Sequence, residues 1–329
     1  MEIGSFIELQ MPKGMEYYHG EKWNSMDIVR LNTGRAAIYH AFRATGCQTI
    51  WLPHYQCETV REFLFRKGIK CKFYHIDEKF DPIDLYPSEE DCILIVNYFG
   101  IMSKSRMHQL AQGYSHVIMD NSQAFFAEPL ENCMNVYSAR KFVGVSDGAY
   151  VIGKGANSNT EAYPQGYSSD TSLFLLQRIE YGCEGKAYLS RSENEERIDR
   201  EDCMRMSKLT RFLLDGTDYK TIQEKRKHNF AVAESLFCEC NQLDAHLYYD
   251  DTCVPMVYPL LIENDNLLSE LLKAKHFQGH WWKWVEESAE SNEFEKWLSR
   301  YMVPITIDQR YNEDALLYLQ QVVEKVWQK

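Results

Sequence analysis

A chain of 329 residues with 45% apolar and 26% charged residues is long enough to bury a large core, and has ordinary globular composition. Its formal charge of −12 argues against a general affinity for phosphate backbones, so nucleic acid is not an expected partner. No apolar run is long enough to cross a bilayer, and residues 1–20 lack the cationic start and apolar block of a signal peptide, so neither a membrane nor export is expected. Ten cysteines without a CxxC pair read as free thiols in a reducing cytoplasm, and no metal site is expected.

Taken in chain order, the segment from Leu31 to Gly155 alternates between helical and strand patterns. "GRAAIYHAFRATG" carries apolar residues at helical spacing and stops on a glycine. "TIWLP" reads as a strand closed by proline, and "ETVREFLFRKG" as an amphipathic helix. "CKFYHID" and "DCILIVNYFG" are strands, "SRMHQLAQGY" a short helix, "SHVIMDNSQA" a strand running into a loop, and "GAYVIG" a further strand. Such alternation predicts an α/β fold with a mostly parallel, helix-covered sheet.

Residues 157–200 are polar and poorly periodic, and read as a surface excursion or loop. Beyond them "RMSKLTRFLLDG" and "YKTIQEKRKHNFAVAESLF" are helices, "VPMVYPLLI" a strand, and "NLLSELLKAKHF" and "NEDALLYLQQVVEKVW" helices again. This pattern predicts a large domain over residues 1–215, with an N-terminal arm over 1–24, and a smaller C-terminal α+β domain over 216–329. In "GHWWKWVEE" three tryptophans suggest a buried or interface edge, and Lys225–Lys227 a solvated helix face. His75 and Asp77 lack a third ligand at metal-binding spacing.

Three stretches fall at strand ends or helix starts, where open α/β sheets bind ligands. In "LNTGRAA", Thr33 and Gly34 open a helix whose free N–H groups favour phosphate, and Arg35 adds a charged fork. In "VIMDNSQAF", Asp120 ends an apolar strand, where a carboxylate needs a cation or several donors, and Gln123 follows it. In "VYSARKFVGVSDGAYV", Lys141 lies between two strand-like runs, three residues after Ser138. Each has an ordinary structural use alone: a cap, a turn, a snorkelling lysine. Together they supply a phosphate cradle, a partner for a pyridinium nitrogen and an imine-forming amine, which are the requirements of pyridoxal phosphate.

The chain resembles the DegT/StrS-type sugar aminotransferases, which are fold type I pyridoxal-phosphate enzymes. The resemblance runs through "LNTGRAAI", "WLPHYQCETV", "GIKCKFYHID", "VNYFG", "VIMDNSQAF" and "YSARKFVGVSDGAYV", and resumes in "RKHNF", "VPMVYPLLI" and "MVPITIDQRYNEDALLYL". It implies that Lys141 is the Schiff-base lysine, Asp120 the pyridinium partner and Gln123 a neighbour of the ring hydroxyl. It further implies phosphate contacts from Thr33, Gly34 and Ser138, with Arg35 where a subgroup carries arginine.

The position of the family's stacking aromatic is Cys57 here, and Tyr55 is the ring assigned to that role instead. The usual Gly-Gly after the lysine is Gly148-Ala149, and residues 157–205 lack the usual Asn-x-Arg loop. The activity implied is transfer of an amino group, from glutamate, to a nucleotide-linked keto sugar by a homodimer with interface active sites. A sugar dehydratase, a transaminase of smaller substrates and an inactive binding protein of the same fold are the alternatives.

Overall fold

The computed structural model describes residues 6–157 and 162–327; the first five residues of the expected N-terminal arm, and 158–161 of the expected excursion, lie outside the described residues. An eight-stranded sheet has the order β1-β8-β7-β6-β5-β2-β3-β4. Its strands are β1 (Asp27–Leu31), β2 (Thr49–Pro53), β3 (Lys70–Ile76), β4 (Pro82–Ile83), β5 (Asp91–Val96), β6 (Val117–Asn121), β7 (Met134–Ser138) and β8 (Ala149–Gly153). All run one way except β4 and β8, so the sheet is mostly parallel, as expected.

The helices of this part are α1 (Gly34–Thr45), α2 (Glu58–Arg66) and α3 (Lys104–Ala111). Thr33 caps α1 by accepting from the Ala36 N–H at 3.2 Å, and Gly46 closes it in the left-handed region. The apolar side of α1 (Ala37, Ile38, Ala41, Phe42) packs with Ile50, Leu52, Leu94, Ile118 and Val136 from one face of the sheet. Strand alternation turns Trp51, Ile93, Ile95 and Met119 to the other face, where they share a core with Leu260, Val303 and Ile305. Those three belong to a two-stranded antiparallel sheet, formed by strands Val257–Leu261 and Met302–Thr306.

The excursion is not irregular. It contains α4 (Leu173–Tyr181) and α5 (Lys186–Arg200), which pack on each other. The remaining helices are α6 (Lys208–Asp215), α7 (Tyr219–Phe237), α8 (Leu267–Lys273), α9 (Lys283–Glu287), α10 (Glu293–Tyr301) and α11 (Glu313–Trp327). With these in place the two later strands are β9 (Val257–Leu261) and β10 (Met302–Thr306). Helices α7, α8, α10 and α11 surround the β9–β10 pair.

The "GHWWKW" stretch lies at the edge of the shared core. Trp282 packs edge-on to Tyr55 with centroids 4.6 Å apart, and Trp284 donates its indole N–H to the Gln56 carbonyl at 2.9 Å. His75 is 3.0 Å from Glu295, a wholly buried carboxylate that also closes the capping box of α10. Among the described residues no helix is long and apolar enough to cross a membrane.

Candidate active site

Strand period places the site. Along β6 and β7, Ile118, Met134 and Val136 face α1, so Asp120 and Ser138, in step with them, project at the sheet's carboxyl edge on the same side. The start of α1 arrives there as well: an ideal Cβ on Gly34 would stand 3.3 Å from Ser122 Oγ and 4.0 Å from Ser138 Cβ. The backbone therefore comes up against both serine side chains, and a side chain at this position would crowd the Ser122 hydroxyl. Neither hydroxyl bonds to another described residue. Thr33 Oγ1 takes the Ala36 N–H, and the Thr33 carbonyl takes that of Ala37, so the Gly34 and Arg35 N–H groups point out of the helix start without an intrahelical partner.

Asp120 is buried, and its Oδ1 accepts from the Ser122 N–H at 2.9 Å. Lys141 follows in a 3₁₀ turn, Ala139–Lys141, held by the Ala139 N–H to the Gly148 carbonyl at 3.0 Å and by Phe142, buried below. Beyond the turn, the buried Asp147 accepts from the Ser207 N–H and hydroxyl, each at 2.8 Å, and from the Thr210 hydroxyl. The neighbouring Arg140 is paired with Glu195.

The amine of Lys141 sits deep among protein atoms, and this desolvation lowers its pKa from the ordinary 10.5. Asp120 and Cys57 act the other way, and Arg140 adds to the lowering. The side chain as a whole is solvent-exposed, so water limits the size of the depression and leaves its direction. Between the lowered value and 10.5 the unfolded chain holds a proton that the folded one has released, so this group's contribution to stability rises with pH across that window. One prediction follows from Asp120 being the larger of the opposing charges. Reductive alkylation of the cofactor-free protein, mapped by peptide, should reach half its maximal rate at Lys141 at a lower pH than at surface lysines. Asp120→Asn should move that midpoint lower still; an upward move would place Asp120 out of the lysine's reach.

Five of the residues singled out in the sequence thus gather at one edge: Thr33, Gly34, Asp120, Ser138 and Lys141. Gln123 belongs to the Asp120 loop, and its Oε1 accepts from the Phe99 N–H at 2.8 Å. Two residues are not brought to the cluster. The buried guanidinium of Arg35 binds Asp199 at 2.8 Å and the Ile198 carbonyl on α5, so its fork is already occupied. Tyr55 is wholly buried in the core against Tyr98 and Trp282, which leaves its ring no free face at the site. The nearby His54 stacks on His75 at 4.4 Å, and burial first, then His75, pushes its pKa down to about 4. Instead Cys57, at the start of α2, is the group of this segment that acts on Lys141. Ser122 escaped the sequence reading; its only signal was its place two residues after Asp120.

The donor set suits one kind of group. Free N–H groups at a helix start with two serine hydroxyls would hold a phosphate. A buried carboxylate and an amine of lowered pKa stand beside it for a protonated ring nitrogen and an aldehyde.

No protein-family model and no curated protein matches the sequence. Solved structures do match. The sugar aminotransferase CalS13 from Micromonospora echinospora superposes with a TM-score of 0.60 at 13% identity, over 91% of this chain and 87% of that one. PseC from Helicobacter pylori, an aminotransferase involved in pseudoaminic acid biosynthesis, gives 0.62 at 13% identity, over 92% and 86%. GDP-4-keto-6-deoxy-D-mannose-3-dehydratase from E. coli, solved with bound hydrated pyridoxal phosphate, gives 0.62 at 13%, over 92% and 89%. The fold is that of the DegT/DnrJ/EryC1/StrS-type sugar aminotransferases. At these identities the likeness is one of architecture: a fold type I sheet with its helices, carried over nearly the whole chain.

Proposed function

We propose that this protein is a pyridoxal-phosphate-dependent aminotransferase that moves an amino group from glutamate to a keto sugar, carried on a nucleotide. The observation behind this reading is the meeting of the α1 start, Ser122 and Ser138 with Asp120 and Lys141 at one sheet edge. When bound, pyridoxal phosphate supplies an electron sink for the pair released as the substrate's Cα–H bond breaks.

The chain's own residues do the rest. Gly34, Ser122 and Ser138 hold the phosphate, with Thr33 fixing the helix start. Asp120 keeps a proton on the ring nitrogen, and Gln123 Nε2 is free to reach the ring's hydroxyl side. Lys141, more easily neutral than an ordinary lysine, would hold the aldehyde and serve as the proton carrier at the reacting carbon. Cys57 would lie near the ring in place of an aromatic.

We further propose that the enzyme acts as a homodimer in a reducing cytoplasm, with domains 1–215 and 216–329. The apolar outer face of α4 and α5 supports the dimer: Leu173, Leu176, Ile179, Tyr181, Tyr188 and Leu189 are all exposed, and α4 buries no residue. That hairpin is fastened to the lysine loop by Ser172 and Ser146, 2.7 Å apart, so a second copy covering it would also narrow the open side of the site. The fold shared with the E. coli dehydratase supports dehydration of the same class of sugar as a second reading.

The test is spectroscopic and then chemical. The purified protein should bind pyridoxal phosphate with a violet absorption that borohydride bleaches, leaving an adduct on Lys141 by peptide mapping. Glutamate should then yield 2-oxoglutarate. Mass spectrometry of the sugar product separates the readings: an amino sugar supports transamination, and loss of a hydroxyl supports dehydration. A protein that takes up no cofactor refutes both.

A further inference from the structure

A cavity of about 350 Å³ opens along the outer edge of β1, away from the β7–β6 edge that carries the lysine and aspartate. Residues Ile28–Leu31 form one wall and the stretch from Arg205 to Arg211 the other. Four cations line it: Arg30, Arg205, Lys208 and Arg211. Two carboxylates answer them, Glu16 and Asp215, both acting on Arg30. Glu16, nearly fully buried, takes the Arg30 Nε at 2.7 Å and lies 3.8 Å from Arg211. The side chains of Arg205 and Lys208 have no acidic partner among the described residues. Among the described residues, four positive charges against two negative leave an excess of two, inside a chain whose net charge is −12.

Like charges gathered around one cavity repel, and an anion between them relieves the cost. The volume is in the range of small-molecule sites, about 300–1,000 Å³. Arginine forks match phosphate oxygens in pairs, which a lone lysine does not. We propose that this cavity is a binding site for a diphosphate, distinct from the phosphate cradle at the start of α1. Two linked phosphates suit an excess of two charges better than one carboxylate or a neutral sugar.

The strand also connects the cavity to the cradle. The segment bearing Arg205 is bonded to β1 on both sides: Asn32 N–H to the Met204 carbonyl at 2.9 Å, and Met206 N–H to the Arg30 carbonyl at 3.2 Å. The Asn32 carbonyl in turn takes the Gly148 N–H at 2.7 Å, and Thr33 follows directly. An anion that orders Arg205 therefore braces both the cap of α1 and the end of the lysine loop. The diphosphate has two sources, inorganic pyrophosphate or the handle of a nucleotide-linked substrate. Only the second source rests on the function proposed above.

Calorimetric titration of the full chain with pyrophosphate, and separately with a nucleoside diphosphate, at low and moderate salt, tests the site. Binding is expected with both, weakening as salt rises. Arg205→Ala/Lys208→Ala should weaken it about 10- to 100-fold while leaving the unfolding midpoint unchanged. A nucleoside diphosphate that binds at least tenfold tighter than pyrophosphate assigns the site to a nucleotide handle, and equal affinities assign it to the diphosphate alone. Lys141→Ala should bind both ligands as the parent chain does, which keeps this result independent of the cofactor. No heat with either ligand, or equal binding by the folded double variant, overturns the proposal.

Discussion

Lys141→Ala should lower turnover by at least about 10³-fold and leave a protein from which the cofactor washes out on gel filtration. A positioned acid–base group contributes about 10²–10⁴-fold, and in the function proposed above the same amine is also the covalent anchor, so the loss belongs at the upper end of that range. No neighbour replaces it. Arg140, next in the chain, is paired with Glu195, and Cys57 offers a thiol rather than an amine. The cradle of Gly34, Ser122 and Ser138 is untouched by the change, so uptake should persist as weaker, reversible binding. Lys141→Arg separates the two roles of the side chain: it restores the charge and not the nucleophile, and should be as inactive as the alanine variant. The checks are borohydride trapping with peptide mapping, and turnover on the sugar. An adduct of undiminished yield on another lysine would remove Lys141 from its assigned place.

Much of the site was readable because it obeys strand and helix periods. Thr33 announces a cap, and the alternation Ile118–Asp120 and Val136–Ser138 carries both polar residues to the face that α1 covers. The same rule, continued past Pro53, would have kept Tyr55 out of the site. Odd positions of β2 face the core with Trp51, and Tyr55 keeps step with them. Arg35 could not be read this way. Its direction is set by Asp199, 164 residues further on, and no local pattern reports such a partner.

The α4–α5 hairpin was missed for a different reason. Periodicity reveals a helix when one side is buried and the other wet, and this hairpin has no such contrast: α4 is apolar on its exposed positions and buries none of its residues in the single chain. Strand β1 was overlooked because Asp27 and Arg30 break up an apolar run of only five residues. What decides these elements is tertiary or intermolecular, and a window of local sequence does not contain it.

Gly100→Ala should cost about 3 kcal/mol of stability and weaken cofactor binding with it, combining a left-handed backbone penalty of about 1 kcal/mol with overpacking of about 1–3 kcal/mol. Gly100 has φ of +75°, and a Cβ there would lie 2.4 Å from the Gln123 carbonyl oxygen, 3.2 Å from the Met256 nitrogen and 3.3 Å from the Pro255 Cα. All three are backbone atoms, so no rotamer change makes room. The turn joins three parts of the molecule. It follows β5, its Phe99 N–H is held by Gln123 Oε1, and its Phe99 carbonyl accepts the Met256 N–H at 2.8 Å just before β9. Relief of the clash must therefore push either the loop that begins at Asp120 or the entry to the small sheet. Gly46→Ala is the matched control: φ is +77°, with nothing within 4 Å of the added carbon, so it carries the backbone penalty alone. Urea unfolding of the two variants should differ by about 2 kcal/mol, the overpacking share of the cost. If they lose stability equally, the close approach at Gly100 is absent, and the Asp120 loop is not braced from this side.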